Sequence, residues 1–181
     1  MNALGMIETN SIPVGIGAGD SMLKAADVVL VNAQTVCAGK YIVIITGDVA
    51  AVNASVSAGK ETADYTLVDS IVIPNLNGQV IEAMSASSQI GTPGALGIME
   101  TYSLASAVIC ADAAVKAANV SLIEVRLGRG LGGKSFVIMT GDVAAVTAAT
   151  QAAQTPEDVQ GMVASTVVIP SPHPDILQAV Y

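Results

Sequence analysis

Tryptophan is absent from this chain, phenylalanine occurs once, at Phe136, and cysteine only twice, at Cys37 and Cys110. Without large aromatic side chains a single bulky core is excluded, because such residues carry much of the buried area where one exists. Two cysteines at unrelated positions make no disulfide framework, which points to a reducing, cytoplasmic setting. Cations are scarce as well: seven Lys and Arg stand against fifteen Asp and Glu, for a net charge of −8. A nucleic-acid binder needs clustered cations to displace counterions, so that class is excluded. Long hydrophobic runs are missing too. The uncharged stretch Ala83–Met99 is broken by Gly91, Pro93 and Gly94, whereas a membrane-spanning helix needs about 20 mostly apolar residues in succession. No basic segment followed by an apolar one opens the chain, so no export signal is expected.

What is present is small and apolar. Hydrophobic residues make up 52% of the 181, and most are Ala, Val and Ile. Side chains of that size pack thin layers with close backbones. Two compact α/β units of about 90 residues each fit the length better than one large domain.

An internal repeat supports that division. Residues Ala3-Leu4-Gly5-Met6-Ile7-Glu8-Thr9 return as Ala95-Leu96-Gly97-Ile98-Met99-Glu100-Thr101. Asp20, Lys24, Ala25 and Ala26 return as Asp112, Lys116, Ala117 and Ala118. The run Thr46-Gly47-Asp48-Val49-Ala50-Ala51-Val52 recurs unchanged from Thr140 to Val146, and Ile73-Pro74 recurs as Ile169-Pro170. The offset grows from 92 (Ala3 to Ala95) through 94 (Thr46 to Thr140) to 96 (Ile73 to Ile169), so short insertions separate the copies. The first copy spans residues 1–88 and the second 95–181. A linker of small residues, Ser85 to Gly94, lies between them.

Each copy predicts the same elements. In the first, Ala3–Glu8 is a short apolar strand. Ser11–Ala26 carries Ile12, Ile16, Met22 and Leu23 among small residues, which suits a helix packed closely on a sheet. Val28–Val36 and Lys40–Ile45 are hairpin strands joined by Cys37-Ala38-Gly39. Asp48 N-caps a helix over Val49–Ala58. Thr66–Ile73 is the last strand, stopped by Pro74, and Gly78–Met84 forms a helical turn or two. The order is β-α-β-β-α-β, an α+β, ferredoxin-like unit, here in tandem, each with a short C-terminal helix.

The opening Ala-Leu-Gly-x-x-Glu-Thr, the Asp-x-x-x-Lys-Ala-Ala helix end, the hairpin Gly-Lys and the Thr-Gly-Asp-Val-Ala-Ala-Val helix start together resemble bacterial microcompartment shell domains. Both copies match, over nearly the whole chain, and each begins at the family's usual first strand, as in its unpermuted tandem class. The resemblance implies a homotrimer of tandem chains. Three fused pairs then form a pseudohexameric tile that packs edge to edge with other shell proteins in a cytoplasmic shell, with enclosed enzymes as further candidate partners. Closed cyclic symmetry brings equivalent loops to a common axis. In the family the hairpin loops lie at the central pore, which makes Val36, Ala38, Gly39, Arg129 and Gly130 pore-loop residues. The loops differ here: Thr35 to Lys40 in the first copy, Gly128 to Lys134 in the second. Lys24 and Lys116 take the family's tile-edge lysine position, although Asn75 and Ser171 stand where the edge often carries Arg.

Tandem shell proteins of this kind hold a 4Fe-4S cluster at the three-fold pore, one loop cysteine coming from each chain. Cys37 occupies the matching position, so the resemblance implies one cluster per trimer, shared by Cys37 of three chains. A lone cysteine is otherwise an ordinary small packing residue, the reading that Cys110, among Ala and Val in a helix, invites.

Other signals carry less. Gly128–Ser135 matches the phosphate-loop pattern Gly-x-x-x-x-Gly-Lys-Ser. That loop needs a following helix, and Phe136 to Met139 read as a strand. Glu8 and Glu100 have no His, Lys or second acid nearby in sequence. His173, the one histidine, lies in Pro-His-Pro without an evident partner, opposite Asn77 of the first copy. The shortage of paired polar residues argues against an enzyme. Three functions stand: a shell tile whose pore holds the cluster for electron transfer or cluster supply; a tile whose pore conducts metabolites without one; and a trimeric small-ligand sensor, because fold alone does not fix function.

Overall fold

The computed structural model describes residues 3–180. The first repeat folds as β1 (Ala3–Thr9), α1 (Ile12–Ala25), β2 (Val28–Val36), β3 (Lys40–Gly47), α2 (Val49–Ala63) and β4 (Leu67–Pro74), followed by α3 (Gly78–Met84). The second gives β5 (Ala95–Thr101), α4 (Leu104–Ala117), β6 (Val120–Leu127), β7 (Ser135–Gly141), α5 (Val143–Ala152) and β8 (Val163–Ile169), followed by α6 (Pro174–Val180). Each repeat builds one four-stranded antiparallel sheet, in the orders β2-β3-β1-β4 and β6-β7-β5-β8. That is the ferredoxin-like arrangement, an α+β fold used twice.

The duplication extends to register. Ala3 opposes Gly47 and Thr9 opposes Tyr41; Ala95 opposes Gly141 and Thr101 opposes Ser135. The edge strands are irregular at the same place, between Leu30 and Asn32 and between Leu122 and Glu124. Thr46 and Thr140 each donate a side-chain hydrogen bond to the carbonyl opening the central strand, Ala3 at 2.8 Å and Ala95 at 3.0 Å.

The first core joins Ile7, Ala18, Met22, Val43, Ile45, Val52 and Val56. Small residues set its thickness. A Cβ at Gly5 would lie 2.6 Å from Val56 and 2.8 Å from Val52, and one at the equivalent Gly97 would lie 2.7 Å from Val146. Each central strand therefore lets a helix approach to backbone distance, in keeping with a chain poor in bulky residues.

Three details differ from the sequence expectation. Helix α1 buries Gly15, Ala18, Gly19 and Met22, whereas Ile16 and Leu23 are 54% and 40% exposed; close packing selected the small face, not the larger residues. Helix α2 continues past Ala58 to Ala63, because Gly59 is a packing residue against Met22 and not a stop. Asp48 stands at the N-cap, but its side chain makes no capping hydrogen bond; the backbone bond from Val52 N–H to Asp48 O closes the first turn.

The two compact units divide between Leu76 and Asn77. The repeat boundary and the packing boundary thus differ. Helix α3 follows the first repeat in sequence but packs on β6 and α4 of the second unit.

Candidate functional site

The hairpin between β2 and β3 turns at Cys37-Ala38-Gly39. Ala38 and Gly39 both have left-handed backbones (φ 62° and 72°), which reverses the chain tightly at some cost for the alanine. Val36 is buried, Cys37 is partly exposed, and Ala38 and Gly39 face solvent. Lys40 ends the turn and reaches across to Glu8, Nζ to Oε1 2.7 Å, at the end of β1. The Glu8 side chain is only 3% exposed, so this pair ties the neck of the hairpin to the central strand.

The second hairpin keeps that tie and changes the tip. Lys134 binds Glu100 at 2.8 Å, but here the carboxylate is 36% exposed. Gly128 N–H donates to Ser135 Oγ at 3.2 Å, closing the neck. Beyond it Gly128, Gly130, Gly132 and Gly133 all adopt positive φ, conformations that a side chain would oppose. Arg129 and Gly130 are exposed at the tip. A strand follows, β7, and not a helix, so the phosphate-loop pattern lacks the N-terminal amides that would make it work.

Sequence reasoning found the tips but missed the ion pairs beneath them. Glu8 and Lys40 are separated by 32 positions, Glu100 and Lys134 by 34; only the antiparallel register makes them neighbours. The readable signal was the duplication itself, since Glu and Gly-Lys recur together in both copies.

The cysteines differ in kind. Cys110 is fully buried in α4, and burial pushes its thiol up from 9.0 to about 12, so it stays protonated at neutral pH, as a packing residue does. Cys37 sits in the hairpin turn between Val36 and Ala38 and is partly exposed. Among the described residues no group of three or more His, Cys, Asp or Glu could hold a metal ion. Within one chain Cys37 is a single donor.

The other predicted positions lie apart from the tips. Lys24 bonds Asp20 one turn earlier at 2.6 Å, both well exposed. Lys116 bonds Asp112 at 2.5 Å, but Asp112 is 9% exposed in its side chain and also accepts the Asn77 N–H at 2.9 Å. His173 is exposed, and its Nδ1 accepts from Asp175 N–H at 3.2 Å, a local cap like that of Asn77 on Gln79. A recess of about 320 Å³ in the second unit is lined by Ile90, Ile123, Arg126 and Val180 among others. Its cation is already engaged, by Glu124 at 2.6 Å and by the Phe136 ring at 4.9 Å. No helix among the described residues is long and apolar enough to cross a membrane.

Doubled ferredoxin-like units with divergent hairpin tips define a tandem domain pair, and the comparisons agree. The BMC domain family matches twice, at residues 3–76 and 95–172. The chain belongs to the bacterial microcompartment (BMC) domain family. It is 40% identical over 171 residues to the bacterial microcompartment shell protein PduT of Citrobacter freundii, covering 94% of this chain and 93% of that one. It is 32% identical over 190 residues to the carboxysome assembly protein CcmO of Synechococcus elongatus, covering 98% of this chain and 68% of the relative. The crystal structure of a microcompartment protein from Desulfitobacterium hafniense superposes with a TM-score of 0.93, at 50% identity over 99% of both chains.

Proposed function

We propose that this chain is a non-enzymatic, homotrimeric tile of a cytoplasmic microcompartment shell, whose pore holds a 4Fe-4S cluster on Cys37 of three chains. The family and its shell-protein relatives support the tile. The observation that carries the cluster is the contrast between the tips: one thiol, partly exposed, on a small turn of one copy, and no donor of that kind on the other. Three-fold symmetry turns a single donor per chain into a converging set of three, leaving one iron for a further ligand. When bound, the cluster would supply one-electron chemistry; the chain supplies the thiols and the Glu8–Lys40 ion pair at the neck of the hairpin that carries them. Electron transfer across the shell and supply of clusters to enclosed enzymes both follow from that placement.

The exposed Arg129 on its glycine-rich tip favours a second reading, a pore that conducts anionic metabolites without a cluster. Iron and sulfide analysis of anaerobically purified and reconstituted protein separates the two. The cluster predicts four of each per three chains and their loss in Cys37→Ser. A colourless, iron-free trimer sinks the cluster and leaves the conducting tile. Negative-stain images of concentrated protein test the tile itself: sheets or tubes support it, and discrete particles favour a sensor.

A further inference from the structure

The second sheet carries a charged pair that its duplicate does without. On β6, Glu124 opposes Ile138 and Arg126 opposes Phe136; at the same register of β2, Asn32 opposes Ile44 and Gln34 opposes Ile42. The first repeat thus builds the same ladder with neutral side chains, so folding does not demand the ions. Stability does not demand them either. The side chains of Glu124 and Arg126 are 24% and 50% exposed, and ion pairs so placed contribute little.

The pair stands at the recess of about 320 Å³ in the second unit, a volume close to the lower limit, about 300 Å³, of small-ligand sites. Ile90, Ile123 and Val180 give it an apolar lining, and all three belong to the hydrophobic cluster of this sheet. Arg126 is held ready. Its Nε and Nη2 both lie 2.6 Å from Glu124 Oε1, and its guanidinium carbon lies 4.9 Å from the centre of the Phe136 ring. Those contacts take one edge of the planar fork and leave the edge that carries Nη1 for a carboxylate. Glu124 keeps acceptor capacity too, because a carboxylate offers about four lone-pair sites and Arg126 brings two N–H groups to it. Ser88 lines the same recess, and its Oγ is buried with no hydrogen-bond partner among the described residues. That state is costly for a hydroxyl, and a polar ligand relieves it.

We propose that this recess binds a free aliphatic α-amino acid, of the size of valine or leucine, as its zwitterion. A lone carboxylate is drawn to Arg126 but repelled by Glu124, and a lone ammonium meets the reverse. Because the two protein charges touch, the ligand that satisfies both carries opposite charges one carbon apart. Its carboxylate meets the remaining edge of Arg126, its ammonium meets Glu124, and the Ser88 hydroxyl donates to the carboxylate. The branched side chain lies on Ile90, Ile123 and Val180, where its burial supplies the apolar part of the affinity. Neither the cluster nor the shell tile is needed for this site.

Isothermal titration calorimetry of the full chain with L-leucine tests the assignment. Saturable binding is expected, with a Kd on the order of 1 mM, as suits a small ligand in a half-open site. Isocaproate lacks the ammonium, isoamylamine the carboxylate and glycine the side chain; each is expected to bind at least about tenfold more weakly. Arg126→Gln and Glu124→Asn copy the first repeat, so both are expected to fold, as circular dichroism will show, and each to weaken leucine about tenfold. Leucine binding left unchanged by both variants overturns the site. Isocaproate bound as tightly as leucine by the wild type overturns the zwitterion, and no saturation by leucine overturns the proposal whatever the variants do.

Discussion

At the scale of residues, two equivalent ion pairs sit in unlike surroundings. Glu8 is almost wholly enclosed beside Lys40, while Glu100 is about a third exposed beside Lys134. Removing the cation from an enclosed pair strands a charge, at a cost of about 3 kcal/mol; an exposed pair contributes less than about 1 kcal/mol. Lys40→Ala is therefore expected to lower the thermal midpoint clearly more than Lys134→Ala. Equal shifts would show that Glu8 finds water. Cys110 gives a pH signature. Its folded-state thiol titrates near 12 and its unfolded thiol near 9.0, so above pH 9 the unfolded chain releases a proton that the folded chain keeps. Stability then falls as pH rises through that window, by about 1.4 kcal/mol per pH unit from this group. Denaturant titrations should show a shallower decline between pH 9 and 10.5 for Cys110→Ala than for wild type; parallel declines would contradict it. Of these residues, sequence revealed the buried Cys110, from its Ala and Val neighbours in a helix. It hid the ion pairs, whose members meet only across strands.

At the scale of elements, helix-on-sheet distance is set by glycine. Gly5 and Gly97 stand where branched or crowded side chains of α2 and α5 press on the central strands. Val52, Val56 and Val146 are stiff at χ1 and cannot swing aside. Gly5→Ala and Gly97→Ala are each expected to lose about 1–3 kcal/mol, measured by chemical denaturation, although alanine suits a strand better than glycine does. Neutral effects would mean that the helices shift outward freely. Element order, strand identity and the two short terminal helices were legible from periodicity and repetition. The buried face of α1 was not, because hydrophobic size misleads where close approach favours Gly15, Ala18 and Gly19 over Ile16. The end of α2 was hidden for the same reason: inside the helix Gly59 acts as a spacer against Met22.

At the scale of the whole molecule, duplication made two domains plain, and four ordered motifs made the family plain. Sequence could not show that α3 packs with the second unit, since its role depends on which β6 side chains it covers. The tile-edge position that the family resemblance implies for Lys24 gives a prediction at this scale. Lys24 is well exposed and pairs with its neighbour Asp20, so Lys24→Ala is expected to leave the trimer intact and weaken its association into sheets in negative-stain images. Normal sheets would remove Lys24 from the edge. The second hairpin has a consequence of another sort. Its neck is held by the Gly128–Ser135 hydrogen bond and the Leu127–Ser135 register, and Arg129 and Gly130 lie exposed beyond the last ladder pair. A foreign peptide spliced after Arg129 would be displayed from the second repeat alone, making this tip a grafting port that the shorter turn from Cys37 to Gly39 does not offer.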